Sequence, residues 1–230
     1  MHTACCPPEI SFTQSAADWN MIDRAIIPKI KMLKENNKRL RYLSKEECSE
    51  LIAACDPHLR PIVITALNTG MRKQEILGLR WDTNVDLKHG FILLSLTKNG
   101  ERREIPINET LRNTLQSIQR RLDVKHVFFD PARGKPYQEV KKSFATALRR
   151  AKIQDFHFHD LRHTFASHLV MAGIDLATVK ELLGHADIKM TLRYAHLAPS
   201  HKVKAVEIYD RSMSGYNLAT VPAESKVANL

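Results

Sequence analysis

FILLSLTKNGERREIPI, residues 91–107, is the stretch where the hydrophobic period of this chain changes from helical to alternating. FILLSL (91–96) and ERREIPI (101–107) are β-type runs. The TKNG between them ends in Asn99-Gly100, the strongest short hairpin signal, because both residues tolerate the positive φ of a tight primed turn. Outward from this hairpin the pattern is mostly helical. Upstream, Ser44-Lys45-Glu46-Glu47 forms a capping box, and Leu51, Ile52 and Cys55 continue its apolar face. A second helix covers His58 to Asn68 and stops at Thr69-Gly70, and a third begins near Arg72 and carries Ile76 and Leu77.

Downstream, a helix is expected over roughly residues 109–122, followed by a short VFFD strand at 127–130. Val140, Phe144, Ala147 and Leu148 mark the next helix. Leu161, Phe165 and Leu169 mark another, with Gly173 as its stop, and Leu176, Val179, Leu182 and Leu183 one more. Asp187 caps a helix expected to hold Tyr194, with Pro199 beyond its end, and Ser200 opens a last helix carrying Val203, Val206 and Ile208. At the other end, residues 1–14 read as an unstructured lead. Trp19, Ile22 and Ile26 keep helical spacing up to Pro28, and KENNKRLRYL (34–43) reads as a basic connector. Residues 214–230 read as a loose tail. The fold class is α+β, mostly α, with a small antiparallel β element.

The 230 residues allow one large domain or a domain plus a fragment, and 43% hydrophobic content is enough for a real core. Thirty-five Lys and Arg against 25 acidic residues leave a formal charge of +10. That excess favours a polyanionic partner, nucleic acid first and an acidic membrane surface second. Cys5, Cys6, Cys48 and Cys55 form no CxxC pair, so neither a zinc ribbon nor a disulfide framework can be read from them. No run of about 18 apolar residues predicts a membrane span, and MHTACCPPEI lacks a secretory layout. A reducing, intracellular setting is the default expectation.

Four stretches concentrate anion-binding groups. TGMRKQEILGL (69–79) sets Arg72 after a Thr-Gly turn with Glu75 three residues on, which is either an ordinary surface pair or a guanidinium held ready for a phosphate. TKNG (97–100) puts Lys98 at a hairpin turn, solvated or delivered into a cleft. In HFHDLRHT (157–164), His159, Arg162 and His163 share one helix face. HDLRH also resembles the HExxH zinc helix, with His185 as a third ligand. A permanent guanidinium on that face would repel a dication and suits a phosphate better. LGHADIKMTLRYAHL (183–197) supplies His185 at a helix end and Tyr194 beyond it. A phenol is a poor nucleophile near neutrality, and nearby cations are expected to lower its pKa. Two Arg, one Lys, two His and one Tyr make a complete set for phosphoryl transfer without metal. A non-catalytic rival reads ASHLVMAGIDLATVKELLGH (166–185) as a helix-turn-helix with Gly173 in the turn.

TGMRKQEILGL, TKNG, HDLRHT, LGH and LRYAHL, in this order and spacing, resemble the catalytic domain of tyrosine recombinases, the phage integrase family, from about Arg39 to Met213. The resemblance implies a mostly α catalytic domain with a three-stranded antiparallel sheet. It implies that Arg72 and Arg162 clamp the scissile phosphate, and that Lys98 protonates the departing 5′-oxygen. By the same resemblance, His159 assists proton transfer, His185 hydrogen-bonds a phosphate oxygen, and Tyr194 forms a covalent 3′-phosphotyrosine. Glu75 and His163 would orient the clamp. No metal, ATP or other cofactor is required.

The implied partner is double-stranded DNA, bound by a homotetramer on two duplexes, with residues 200–212 docking on a neighbour and DNA-bending proteins as possible accessories. The implied location is the cytoplasm, in a bacterial or phage-encoded, nucleoid-associated protein. A type IB topoisomerase uses a similar residue set, but the small size and the LGH…RYAHL wording favour the recombinase. Family members carry a DNA-clamping domain of about a hundred residues ahead of this one, a normal domain size. The expected organisation is therefore a lead and linker remnant at 1–38, a catalytic domain at 39–213 and a tail at 214–230.

Overall fold

The computed structural model describes residues 19, 21, 40–94, 102–199 and 202–213. The chain divides into two units, Met1–Lys38 and Arg39–Leu230, and every helix and strand among the described residues belongs to the second. Lys98, Ser200, the helix expected over Trp19 to Ile26 and the 214–230 tail fall wholly or largely outside the described residues.

Helix α1 (Lys45–Ala54) starts as its sequence demands: the Ser44 hydroxyl accepts the Glu47 N–H at 3.1 Å and the Glu47 carboxylate accepts the Ser44 N–H at 2.8 Å. Helix α2 (Arg60–Thr69) has Pro61 in its first turn and ends at Gly70, whose φ of 60° lets the chain turn sharply into the short α3 (Lys73–Leu77). Any side chain at 70 would also strike Phe165. Three antiparallel strands follow, β1 (Val85–Asp86), β2 (Phe91–Leu94) and β3 (Arg103–Pro106), in the order β1-β2-β3. Phe91 faces Pro106 and Leu94 faces Arg103. Pro106 is tolerated because β3 is an edge strand. Along β3 burial alternates, with Arg103 and Ile105 inward.

Helix α4 (Glu109–Ser117) is shorter than its sequence pattern suggests. Ile118 turns extended (φ −73°, ψ 124°) and the chain leaves the helix. Arg120 then stacks on Trp81, its guanidinium carbon 3.9 Å from the ring centroid, and Leu122 is left fully exposed. A two-stranded ribbon, β4 (Phe129–Asp130) with β5 (Lys135–Pro136), precedes four further helices: α5 (Lys141–Arg150), α6 (Asp160–Met171), α7 (Leu176–Leu183) and α8 (Lys189–Leu192). A 3₁₀ turn (Ala195–Leu197) and α9 (Lys202–Met213) complete the described chain.

The larger apolar core joins Leu51, Ile62, Val63, Ile76, Leu79, Ile92, Ile105 and Phe144 to the first turn of α6 at Leu161. Cys55 is buried in it and Cys48 packs at its margin; burial pushes both thiols up to about 11, as befits small hydrophobes. A smaller core gathers Ala166, Val170, Val179, Leu183 and Tyr194. Residues leading into α1 are pinned to α6, since the Leu43 N–H donates to Thr164 Oγ1 at 3.1 Å and His168 Nε2 donates to the Leu43 carbonyl at 2.8 Å. Among the described residues no helix is long and apolar enough to cross a membrane.

Candidate active site

The C-terminal end of α7 organises the site. Asp175 caps its start by accepting the Thr178 N–H at 2.9 Å, and Gly184 ends it in the left-handed region at φ 63°. The last carbonyls of a helix carry partial negative charge and lack helical partners, so they attract cations. Here they attract three guanidiniums. Arg162 Nη2 donates to the Leu183 carbonyl at 2.6 Å, and its Nη1 donates to the Gly70 carbonyl at 2.6 Å. Arg103 Nη1 donates to the same Leu183 carbonyl at 2.5 Å. Arg72 Nη2 lies 3.5 Å from the Gly184 carbonyl.

Glu75 ties two of these arginines together. Its Oε1 accepts from Arg72 Nη1 at 3.0 Å, while its Oε2 accepts the Arg72 N–H at 2.8 Å and Arg103 Nη2 at 2.7 Å. Burial pushes the Glu75 carboxyl up, but the Arg103 charge and the hydrogen bonds from both arginines outweigh it and hold the group below the usual carboxylate range. Arg162 is 4% exposed and is pushed down to about 10, by burial first and then by the Arg72 and Arg103 charges. The Arg72 side chain keeps 43% of its surface, so it can meet an anion arriving from solvent.

Imidazoles complete the wall. His159 precedes the first residue of α6 and keeps solvent exposure, and His163 stands one turn on with its ring edge-on at 5.1 Å. His185, just past Gly184, is buried, with Nδ1 2.8 Å from the Thr191 hydroxyl. Burial, then the His159 ring and Arg193, push His163 down to about 4. Burial, then Arg162 and Arg72, do the same to His185. His159 is lowered by burial and then by Arg162. Both buried rings are therefore neutral near pH 7 and each has Nδ1 engaged by a hydroxyl. This cationic wall suits an anionic ligand, which exposed Arg72 can meet bidentately.

Tyr194 corrects two expectations. It lies on a turn between α8 and the 3₁₀ turn, not on a helix. Its N–H donates to the Thr191 carbonyl at 3.0 Å; such i,i+3 geometry eclipses side chains three apart, so Thr191 and Tyr194 both point inward. Asp187 is not the cap of α8, whose first flanking residue is Ile188 with no side-chain cap; Asp187 Oδ1 instead accepts the Lys189 N–H from one position further out, at 2.9 Å. The phenol pKa is raised, not lowered: burial dominates, and Arg193 and Arg162 only partly offset it. Tyr194 is 1% exposed, packed against Leu183 and its neighbours, with its hydroxyl 2.6 Å from His163 Nδ1. Packing and hydrogen bonding are thus both satisfied by one side chain.

Arg72, Glu75, His159, Arg162, His163, His185 and Tyr194 come together around α7; Lys98 lies outside the described residues. Two participants were not singled out from the sequence. Arg103 had a signal, a charged residue at an inward position of an alternating strand; Thr191 had none. The α6–α7 pair that also fits a helix-turn-helix turns Arg162, His163 and Leu183 into this site.

The sequence and the fold have known relatives. The phage integrase family pattern matches residues 41–201. The integrase of Salmonella phage P22 is 36% identical over 197 residues, covering 80% of this chain and 50% of that protein. Tyrosine recombinase XerA of Pyrococcus furiosus is 30% identical over 176 residues, covering 73% of this chain and 61% of that protein. Among solved structures, the catalytic domain of bacteriophage HP1 integrase aligns with a TM-score of 0.62 at 35% identity, covering 76% of this chain and 98% of that one. The chain spans about half the length of the curated phage integrases it matches.

Proposed function

The chain belongs to the phage integrase family, and from that premise we propose that it is the catalytic part of a site-specific DNA recombinase that breaks and rejoins strands through a 3′-phosphotyrosine on Tyr194. The observation that carries the reading is the convergence of Arg72, Arg162, His185 and Tyr194, drawn from positions 122 residues apart, on the end of one helix.

In this reading a scissile phosphodiester enters against Arg72 and Arg162, which neutralise its non-bridging oxygens as the pentacoordinate transition state forms. His159 and His185 hydrogen-bond the same oxygens. Tyr194 Oη attacks phosphorus, and the P–Oη bond forms as the P–O5′ bond breaks. The phenolic proton passes to an imidazole, with His159 in that role by family resemblance and His163 Nδ1 2.6 Å from the hydroxyl. Lys98 protonates the departing O5′. In the second step a 5′-hydroxyl attacks the phosphotyrosine and the proton transfers reverse. The ester linkage conserves the energy of the broken bond, so neither ATP nor another cofactor is called for, and the guanidiniums supply the positive charge.

Double-stranded DNA is the partner this reading requires, and the net charge of +10 supports it. Four copies on two duplexes, with help from DNA-bending proteins in the cytoplasm, complete the proposal. Exposed Val206, Ile208 and Tyr209 on α9 suit docking on a neighbouring protomer.

The test is adduct formation on a nicked suicide duplex of the cognate site with EDTA present. Wild type should form a covalent protein–DNA adduct, and Tyr194→Phe should form none while still retaining DNA. Retention without any wild-type adduct would turn the reading towards a DNA-binding module, and EDTA-sensitive cleavage would revive a metal at the histidines.

A further inference from the structure

We infer that Arg103 is a positioning residue for the phosphate clamp, holding Arg72 and Arg162 in register without touching the phosphate; this rests on the strand-cleavage reading above. Arg103 is 7% exposed and projects inward from β3, where the strand's alternation calls for an aliphatic side chain such as Ile105. A buried ion pair is a poor device for stability, since a well-packed apolar group in its place is often neutral or better. The position is not optimised for stability either, because Arg103 Nε finds no acceptor among the described residues. Something other than packing accounts for a guanidinium there.

What Arg103 does touch are the two supports of the clamp. Its Nη2 holds Glu75 Oε2 at 2.7 Å, the carboxylate whose other oxygen orients Arg72. Its Nη1 shares the Leu183 carbonyl with Arg162. Two clamp arginines, one just ahead of α3 and one on α6, are thereby referred to one rigid group on the sheet. The backbone is built around it: at Gly184 a Cβ would collide with the Arg103 guanidinium. Without Arg103, Glu75 would pair with Arg72 alone and cancel the charge meant for phosphate, and Arg162, though still held by the Gly70 and Leu183 carbonyls, would lose its link to the group that orients Arg72. Three guanidiniums repel one another, so their spacing depends on these shared acceptors.

The experiment compares Arg103→Met and Arg103→Lys with wild type in single-turnover adduct formation on the suicide duplex. It uses a normal scissile phosphodiester and a neutral methylphosphonate. Arg103→Met should slow the phosphodiester reaction about 100-fold, the scale of one lost transition-state contact. DNA affinity in the Tyr194→Phe background should change by less than about threefold, because few phosphate contacts are altered. On methylphosphonate, where there is less charge to clamp, the penalty should shrink to below about tenfold. Arg103→Lys keeps the charge but reaches one support at a time, and should recover part of the rate. It also covers the case in which Arg103→Met does not fold, because its own penalty should shrink in the same way. An equal penalty on both substrates, a matching loss of DNA affinity, or a wild-type rate in Arg103→Met overturns the inference while leaving the strand-cleavage reading intact. Absence of a Tyr194-dependent adduct from wild type overturns that reading, and this inference with it.

Discussion

Acid should loosen this domain through two buried histidines. His163 and His185 are pushed down to about 4 in the folded protein, and both are buried. In the unfolded chain a histidine binds its proton near pH 6.5. A folded pKa below the unfolded one means that the unfolded state takes up protons first as pH falls. The contribution to stability is therefore complete above about pH 6.5 and is lost as pH drops through the window towards 4. The full span is about 2.5 pH units, or about 3 kcal/mol per imidazole. By pH 5 about 2 kcal/mol per ring should already be gone, about 4 kcal/mol for the pair. The Glu75 carboxyl is shifted the other way from a buried, unpaired acid, held below the usual carboxylate range by Arg103 and Arg72. Urea unfolding reads the effect: with a slope of roughly 2–3 kcal/mol per molar, the midpoint should fall by about 1.5 M between pH 7 and pH 5. His163→Asn and His185→Asn each remove one titrating ring and should each remove about half of that fall. A wild-type midpoint that moves by less than about 0.5 M, or an undiminished fall in both variants, would refute the assignment of neutral buried rings.

Three further outcomes are expected, two from the geometry around α7 and one from the family resemblance at Lys98. Gly184→Ala forces a side chain into the left-handed region and against the Arg103 guanidinium, and should cost about 3 kcal/mol or more in urea unfolding together with most of the adduct-forming rate. Thr191→Val removes the hydroxyl paired with His185 Nδ1, so stability should fall by about 1–3 kcal/mol and cleavage should slow without loss of DNA retention. Lys98→Ala should be nearly inactive on a normal phosphodiester and recover on a substrate whose leaving group is a 5′-thiolate, which needs no proton; failure to recover would remove the general-acid role.

Local punctuation was legible. Ser44 with Glu47, Gly70 and Gly184 bound their helices through contacts within a few residues, so spacing alone exposes them. The β2–β3 pairing follows equally from alternation on either side of a turn. The misreadings share a different origin. Helix α4 ends early where Arg120 stacks on Trp81, a residue 39 positions away in sequence. Arg103 and Thr191 matter through Glu75, Leu183 and His185, partners that no periodicity reveals.

The family motifs and their order, the helix caps and the mixed α and β periods belong to the sequence, because residue type and local spacing decide them. The state of the site does not. The same five motifs are compatible with an activated phenolate or with a protonated, shielded phenol, and cations named from sequence argued for the first. Folding chose the second, since burying Tyr194 against Leu183 and His163 penalises its charge more than Arg162 and Arg193 favour it. Desolvation depends on what surrounds a group in three dimensions, and only the packed α6–α7 pair with its following turn sets that for Tyr194.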